Sequence, residues 1–127
     1  MRLGQSFFRQ TVLASYGGRC CITANPIPAL LIASHILPWS DHPEERVNPR
    51  NGLCLARTHD AAFDAGLITL DEDHRLILSP RLRDHLSSRT LQENFGAYEG
   101  KAIELPEKFR PEEGFLKRHR EGVFVGG

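Results

Sequence analysis

The stretch LLIASHILPW, residues 30–39, changes character at its middle. Apolar and small residues lead into Ser34 and His35, and the segment ends on Pro38 and Trp39, the only tryptophan of the chain. The apolar part has the composition of a strand, which we predict over residues 29–36, and proline ends a strand because it cannot donate a ladder hydrogen bond. Two interpretations of His35 stay open: a core histidine bonded to a backbone carbonyl, or an imidazole held at the edge of a cleft.

The segments around this strand predict one small α+β domain without repeats or linkers. We expect these elements, in chain order: a helix capped by Ser6 with Phe8, Val12 and Tyr16 at four-residue spacing, a short strand over residues 20–23, the strand over residues 29–36, a polar loop, the strand LCLA, a short helix HDAAFDA capped by Thr58, a hairpin from LITL and RLIL, helical segments after Ser79 and at Thr90, a strand in KAIELP, and a last helix opened by Pro111.

The composition is that of an ordinary globular protein. The chain has 127 residues, 40% of them apolar, and its 16 basic and 16 acidic residues cancel. Any nucleic acid must therefore be held by a local patch, since no overall positive field exists. The longest apolar run is too short to span a membrane, the N-terminus does not have the pattern of a signal peptide, and three cysteines do not suggest a disulfide framework. We expect a cytoplasmic protein.

Three polar fragments carry the candidate chemistry. SHILPW, NPRNGLCL and THDAAFDAG supply His35, then Asn51 sixteen residues later, then His59 after eight more, followed at once by Asp60. Each residue alone has an ordinary explanation, because Asn-Gly is a common turn and many histidines are satisfied in cores. Together they predict a compact unit of two strands and a helix. The four other histidines are interpreted as solvated or locally satisfied, with two on exposed helix faces: His42, His74, His85 and His119.

On these motifs the chain resembles the HNH endonucleases, also called ββα-metal or His-Me finger nucleases. Four segments match the family pattern in order, and they read CCITA, SHILPW, NPRNGLCL and HDAAFDAGLI here. The motif core covers about residues 19–70, and the flanking segments are similar to those of restriction-associated members, so we expect a single HNH nuclease domain over residues 1–127. The resemblance implies an α+β fold with a small ββα-metal core, flanking helices and an extra β-hairpin.

The resemblance also implies an activity: a metal-dependent DNA endonuclease, as the cleavage module of a restriction system. Its catalytic residues would be His35, Asn51 and His59. His35 corresponds to the general base that takes a proton from the attacking water, and a neutral imidazole suits this task. Asn51 corresponds to the residue that braces the loop and orients the base.

The metal ligands are less well defined by the resemblance. Many members carry Asp or His directly before the base, where this chain has Ser34; the remaining candidates are His59 and Asp60. Neighbouring helical residues point about 100° apart, so we expect only one of the two to face the phosphate. Asp60 would favour Mg²⁺ or Mn²⁺, whereas His59 would also admit Ni²⁺ or Zn²⁺. No CxxC pair is present, so we do not expect structural zinc.

For DNA contact we favour Arg50 and Arg57 among the arginines that flank the motif. A homodimer or a partner subunit would supply specificity, because so small a nuclease has little surface for reading a long site; no membrane is expected. The main alternative is an inactive HNH-fold module that binds DNA or a partner. This alternative is reasonable because Ser34 stands where many members of the family have a metal ligand. A small metalloprotein with a different hydrolase activity is a weaker one.

Overall fold

The computed structural model describes residues 2–38 and 42–126 and confirms the α+β class. Trp39 lies outside the described residues, so of the Pro38-Trp39 end of the segment the structure describes only Pro38. The helices and strands of the described part are α1 (Arg2–Ser15), β1 (Leu31–His35), β2 (Gly52–Ala56), α2 (Arg57–Asp64), β3 (Ile68–Leu70), β4 (Leu76–Leu78), α3 (Pro80–Arg83), α4 (Arg89–Asn94) and α5 (Glu113–Gly122). None of these helices is long and apolar enough to cross a membrane.

Strands β1 and β2 form an antiparallel pair that leads directly into α2. Leu31 lies opposite Ala56 and His35 opposite Gly52, and a hydrogen bond of 2.9 Å from the Ile36 amide to the Asn51 carbonyl extends the pairing. Since α2 begins at the residue after β2, the two strands and the helix form one ββα unit. This unit fixes where the polar residues of β1 and α2 lie relative to each other.

Helix α1 covers the ββα unit through its apolar stripe. Phe8, Val12 and Tyr16 are buried in the core, as their four-residue spacing predicted. The helix approaches β2 closely at Gly52, where an added Cβ would lie 2.5 Å from Val12 Cγ2 and 2.9 Å from Phe8 Cζ. Only glycine permits this approach, because it has no side chain.

The predicted hairpin is present as β3 and β4, and α5 packs against β3. The last helix begins at Glu113 and ends at Gly122, close to its predicted bounds. His119 on this helix was predicted to be exposed, and that was wrong: it is 1% exposed. The imidazole stacks on Phe63, donates through Nε2 to the Phe63 carbonyl at 2.9 Å, and accepts at Nδ1 from the Thr69 hydroxyl at 2.8 Å.

Several local predictions were wrong because chain contacts overrode local propensity. Helix α1 begins before Ser6, which therefore does not cap it. Residues 20–23 form a turn, closed by a hydrogen bond from the Ala24 amide to the Cys20 carbonyl, instead of a strand. Strand β1 begins at Leu31, because a 3₁₀ turn occupies Pro28–Leu30.

Two helix caps also differ from those predicted. Ala56, not Thr58, precedes α2, and Ser88 takes the cap position predicted for Thr90. Among the described residues, the segment KAIELP forms a single bridge, between Ala102 and Arg75, instead of the predicted strand. The Ser79 cap before Pro80 is confirmed.

Candidate active site

A cleft of about 510 Å³ runs along β1 and beside α2. Residues 32–36 form one wall, α2 supplies Asp60 and Asp64, and the end of α5 supplies His119 and Val123. Five successive residues line the wall, so the cleft follows the strand and continues past His35 to Ile36 and Pro38. The ββα unit thereby brings a histidine and two carboxylates to one opening.

The His35 imidazole is held in a fixed orientation. Its Nε2 lies 2.8 Å from the Arg46 carbonyl oxygen, which can only accept, so the ring proton is on Nε2. The ring also stacks on Phe8 with a centroid distance of 4.1 Å and an interplanar angle of 3°. Nδ1 therefore carries the lone pair of the neutral imidazole, and no described residue donates a hydrogen bond to it.

The surroundings of His35 favour the neutral form. Burial lowers its pKa from the ordinary value of 6.5, and the hydrogen bond to Arg46 and the charge of Asp60 oppose this only partly. At neutral pH the imidazole is consequently a proton acceptor.

Asp60 and Asp64 lie four residues apart on α2, on the same face of the helix. Although Asp64 retains exposed surface, partial burial of its carboxyl group and, second, the nearby Asp60 charge raise its pKa to about 6. Sequence reasoning missed Asp64 as a site residue. The signal was the four-residue spacing of the two carboxylates in HDAAFD, which places them on one helical face.

Asn51 is fully buried and joins the segment after β1 to the polar loop. Its Oδ1 accepts from the Leu37 amide at 2.8 Å, and its Nδ2 donates to the carbonyl oxygens of Leu37 at 3.2 Å and Glu45 at 3.3 Å. Glu45 directly precedes Arg46, whose carbonyl holds the His35 ring. Asn51 thus fixes the backbone on both sides of the histidine.

His59 does not line the cleft. It is 1% exposed, donates through Nε2 to the Asn94 carbonyl at 2.7 Å, and packs against the Phe95 ring in a second pocket. Its Nδ1 is buried without a hydrogen-bond partner. Of the predicted site residues, the structure brings His35 and Asp60 into one cleft, places Asn51 behind it, and directs His59 elsewhere.

The cleft has few candidate metal ligands. No group of three or more His, Cys, Asp or Glu side chains within residues 2–38 and 42–126 is arranged to hold a metal ion. Ser34, in the position before His35, is buried in the cleft wall, and its hydroxyl oxygen has no hydrogen-bond partner. The cysteines Cys20, Cys21 and Cys54 are buried free thiols.

The two predicted DNA-contacting arginines lie outside the cleft. Arg50 is exposed in the loop before β2, and Arg57 is exposed at the start of α2, where its Nε donates to the Ala29 carbonyl at 3.0 Å. No lysine or arginine is among the described residues that line the cleft, whereas two carboxylates are. The cleft therefore carries negative charge.

Comparison with known proteins finds one family that matches the segment containing the cleft residues of β1 and α2. The model of the HNH endonuclease family matches residues 20–71, a range that contains β1, the polar loop, β2, α2 and β3. No curated protein matches the chain. The matched segment thus includes His35, Asn51, Asp60 and Asp64, and over residues 20–71 the chain is similar to the HNH endonuclease family.

Proposed function

We propose that the protein is a metal-dependent DNA endonuclease in which His35 is the general base. The match of residues 20–71 to the HNH endonuclease family model supports a nuclease-type function. The observation that carries the proposal is the fixed tautomer of His35: Nε2 is occupied by the Arg46 carbonyl, and Nδ1 is left as a proton acceptor on a residue of the cleft that two carboxylates also line.

In the proposed reaction, Nδ1 takes a proton from water while the water oxygen attacks the scissile phosphorus. The bond from phosphorus to the 3′ oxygen breaks, and the leaving oxygen takes a proton from solvent. The Nε2 hydrogen bond to the Arg46 carbonyl stabilises the imidazolium that forms. Stacking on Phe8 keeps the ring in place, so little reorganisation is needed at the moment of proton transfer.

The donor set of the cleft fits a hard divalent cation. Asp60, Asp64 and the unpartnered Ser34 hydroxyl all offer oxygen, which suits Mg²⁺ or Mn²⁺. A bound cation would supply charge stabilisation for the phosphate in the transition state. We propose Asp60 and Asp64 as its protein ligands in place of His59, whose imidazole lies in another pocket; this removes the reason to expect Ni²⁺ or Zn²⁺.

Arg50 and Arg57 remain our proposed contacts to DNA phosphates outside the cleft, where both are exposed. We also retain a single HNH domain over residues 1–127, the restriction setting, the cytoplasmic location, and a dimer or partner that adds specificity, all as predictions from the sequence.

Incubation of supercoiled plasmid with the protein and Mg²⁺ or Mn²⁺ tests the proposal. We expect nicking that EDTA abolishes and that His35→Ala lowers by roughly 10²-fold or more, since a general base contributes about 10²–10⁴-fold. His85→Ala is the matched control, because His85 is an exposed histidine outside the cleft. Equal nicking by the His35→Ala and His85→Ala variants would refute the assignment of the base.

The small number of metal ligands keeps an inactive DNA-binding module as the second candidate. This candidate predicts that the protein shifts the mobility of DNA but leaves it intact with every divalent cation. The same plasmid assay, combined with a gel-shift measurement, separates the two functions.

A further inference from the structure

A second pocket, of about 320 Å³, lies at the N-terminal end of α2 and is separate from the cleft. We call it the α2 pocket; the residues that matter here are Asn25, Arg57, Thr58, His59, Asn94 and Tyr98. Its lining combines hydrogen-bond donors, from Arg57 and the first turn of α2, with one buried acceptor, Nδ1 of His59. Neither the fold nor the proposed cleavage reaction uses it.

The donors of the α2 pocket come from the start of an uncapped helix. Ala56 precedes α2 and no side chain caps the helix, so the amides of its first turn have no intrahelical acceptor. These amides and the helix dipole attract an anion. Arg57 adds a guanidinium whose Nε is anchored to the Ala29 carbonyl, which leaves its two terminal NH₂ groups available.

His59 supplies an independent indication of a ligand. The residue is 1% exposed, lines the pocket, and has no partner for Nδ1, and a buried polar atom without a partner is costly. Because Nε2 donates to the Asn94 carbonyl, Nδ1 of the neutral ring is an acceptor. The ligand must therefore offer one hydrogen to Nδ1 in addition to negative oxygens.

We infer that the α2 pocket binds a terminal phosphate group. A phosphate monoester has a second pKa of about 6, so at pH 7 roughly a tenth of it carries a P–OH hydrogen for Nδ1, together with oxygens for Arg57 and the helix amides. An internal phosphodiester has no such hydrogen. Nδ1 is covered from solvent, so this hydrogen bond requires the pocket wall to move. The identification of the ligand as the 5′-phosphate end of a DNA strand rests on the proposed nuclease function.

Binding is tested without cleavage, in EDTA, with the full chain and three probes: inorganic phosphate, and one oligonucleotide with either a 5′-phosphate or a 5′-hydroxyl end. NMR of the histidine ring nitrogens reports the position of the ligand. We expect inorganic phosphate and the 5′-phosphate strand to shift the Nδ1 resonance of His59. A shift confined to His35 would place the phosphate in the cleft and overturn the inference.

Two variants and a control complete the test. Arg57→Gln removes the charge, and Thr58→Pro removes one amide donor of the first turn, which has no intrahelical acceptor. Each should weaken phosphate binding about 10- to 150-fold, the effect of one lost hydrogen bond to a charged group. Arg118→Gln, at an exposed arginine in a different pocket, should change nothing.

Equal weakening by Arg118→Gln, or equal affinity for the 5′-phosphate and 5′-hydroxyl strands, would overturn the assignment. Because no step requires cleavage, phosphate binding by a protein that nicks no plasmid would refute the nuclease and leave the pocket standing.

Discussion

Replacement of Asn51 by alanine should both destabilise the protein and reduce its activity. The substitution removes three hydrogen bonds and leaves the Leu37 amide and the carbonyls of Leu37 and Glu45 without this partner. At about 0.5–1.5 kcal/mol for each bond, the expected loss is roughly 2–4 kcal/mol of unfolding free energy. A domain with about 5–15 kcal/mol of stability stays folded after such a loss.

The effect on activity follows from the backbone that Asn51 holds. Without the bond to Glu45, the adjacent Arg46 carbonyl is less well fixed, and the His35 ring loses part of its orientation. Because small misplacements of a catalytic group are costly, we expect nicking to fall at least about tenfold under conditions where the variant is fully folded.

Urea denaturation and plasmid nicking measure the two effects separately. Asn48→Ala is the matched control: Asn48 caps the next turn through the Arg50 amide and contacts the Glu45 carboxylate, but does not touch Leu37. The Asn48→Ala substitution should lower the free energy of unfolding by about 1 kcal/mol and leave nicking nearly unchanged. If the Asn51→Ala and Asn48→Ala proteins gave the same results in both assays, Asn51 would not hold the backbone around His35 as we infer.

Three further predictions follow from the site and the core. Asp60→Asn and Asp64→Asn should each raise the Mg²⁺ concentration needed for half-maximal nicking about tenfold; an unchanged metal requirement in both variants would remove them as ligands. Burial lowers the pKa of His119 to about 4, so its contribution to stability is complete above pH 6.5 and is lost as pH falls toward 4, by on the order of 3 kcal/mol. His119→Gln should flatten the curve of unfolding free energy against pH between pH 6.5 and pH 4. An unaltered slope would show that His119 does not cause this loss of stability. Gly52→Ala should cost about 1–3 kcal/mol in urea denaturation, because its Cβ would collide with Val12; a neutral result would show that α1 can move away.

The sequence predicted most of what depends on periodicity and chain order. The stripe of Phe8, Val12 and Tyr16 located α1, and the apolar runs LITL and RLIL on either side of DEDH located the hairpin. The contact of Asn51 with the loop was implied by the resemblance to the HNH family, in whose motif strand, loop and strand are consecutive. Such features depend on residues that are close in sequence, so their pattern can be recognised in one sequence without knowledge of the fold.

Features set by long-range packing were not predictable. The spacing of His59 and Asp60 indicated that they diverge, but which one faces the cleft depends on how α2 is rotated by the burial of Ala62 and Phe63. The same rotation turns Asp64 into the cleft. His119 looked exposed because its helix is rich in charge, and only contact with Phe63 and Thr69 buries it.

The negative charge of the cleft has a thermodynamic consequence. Two carboxylates without a neighbouring lysine or arginine repel a phosphate, and each phosphate oxygen that enters adds to the attraction for a cation. In the proposed nuclease, DNA and metal therefore bind with positive cooperativity, and by linkage each raises the affinity for the other by the same factor. The enzyme would then carry little metal when free and would assemble its reactive centre only on a DNA strand.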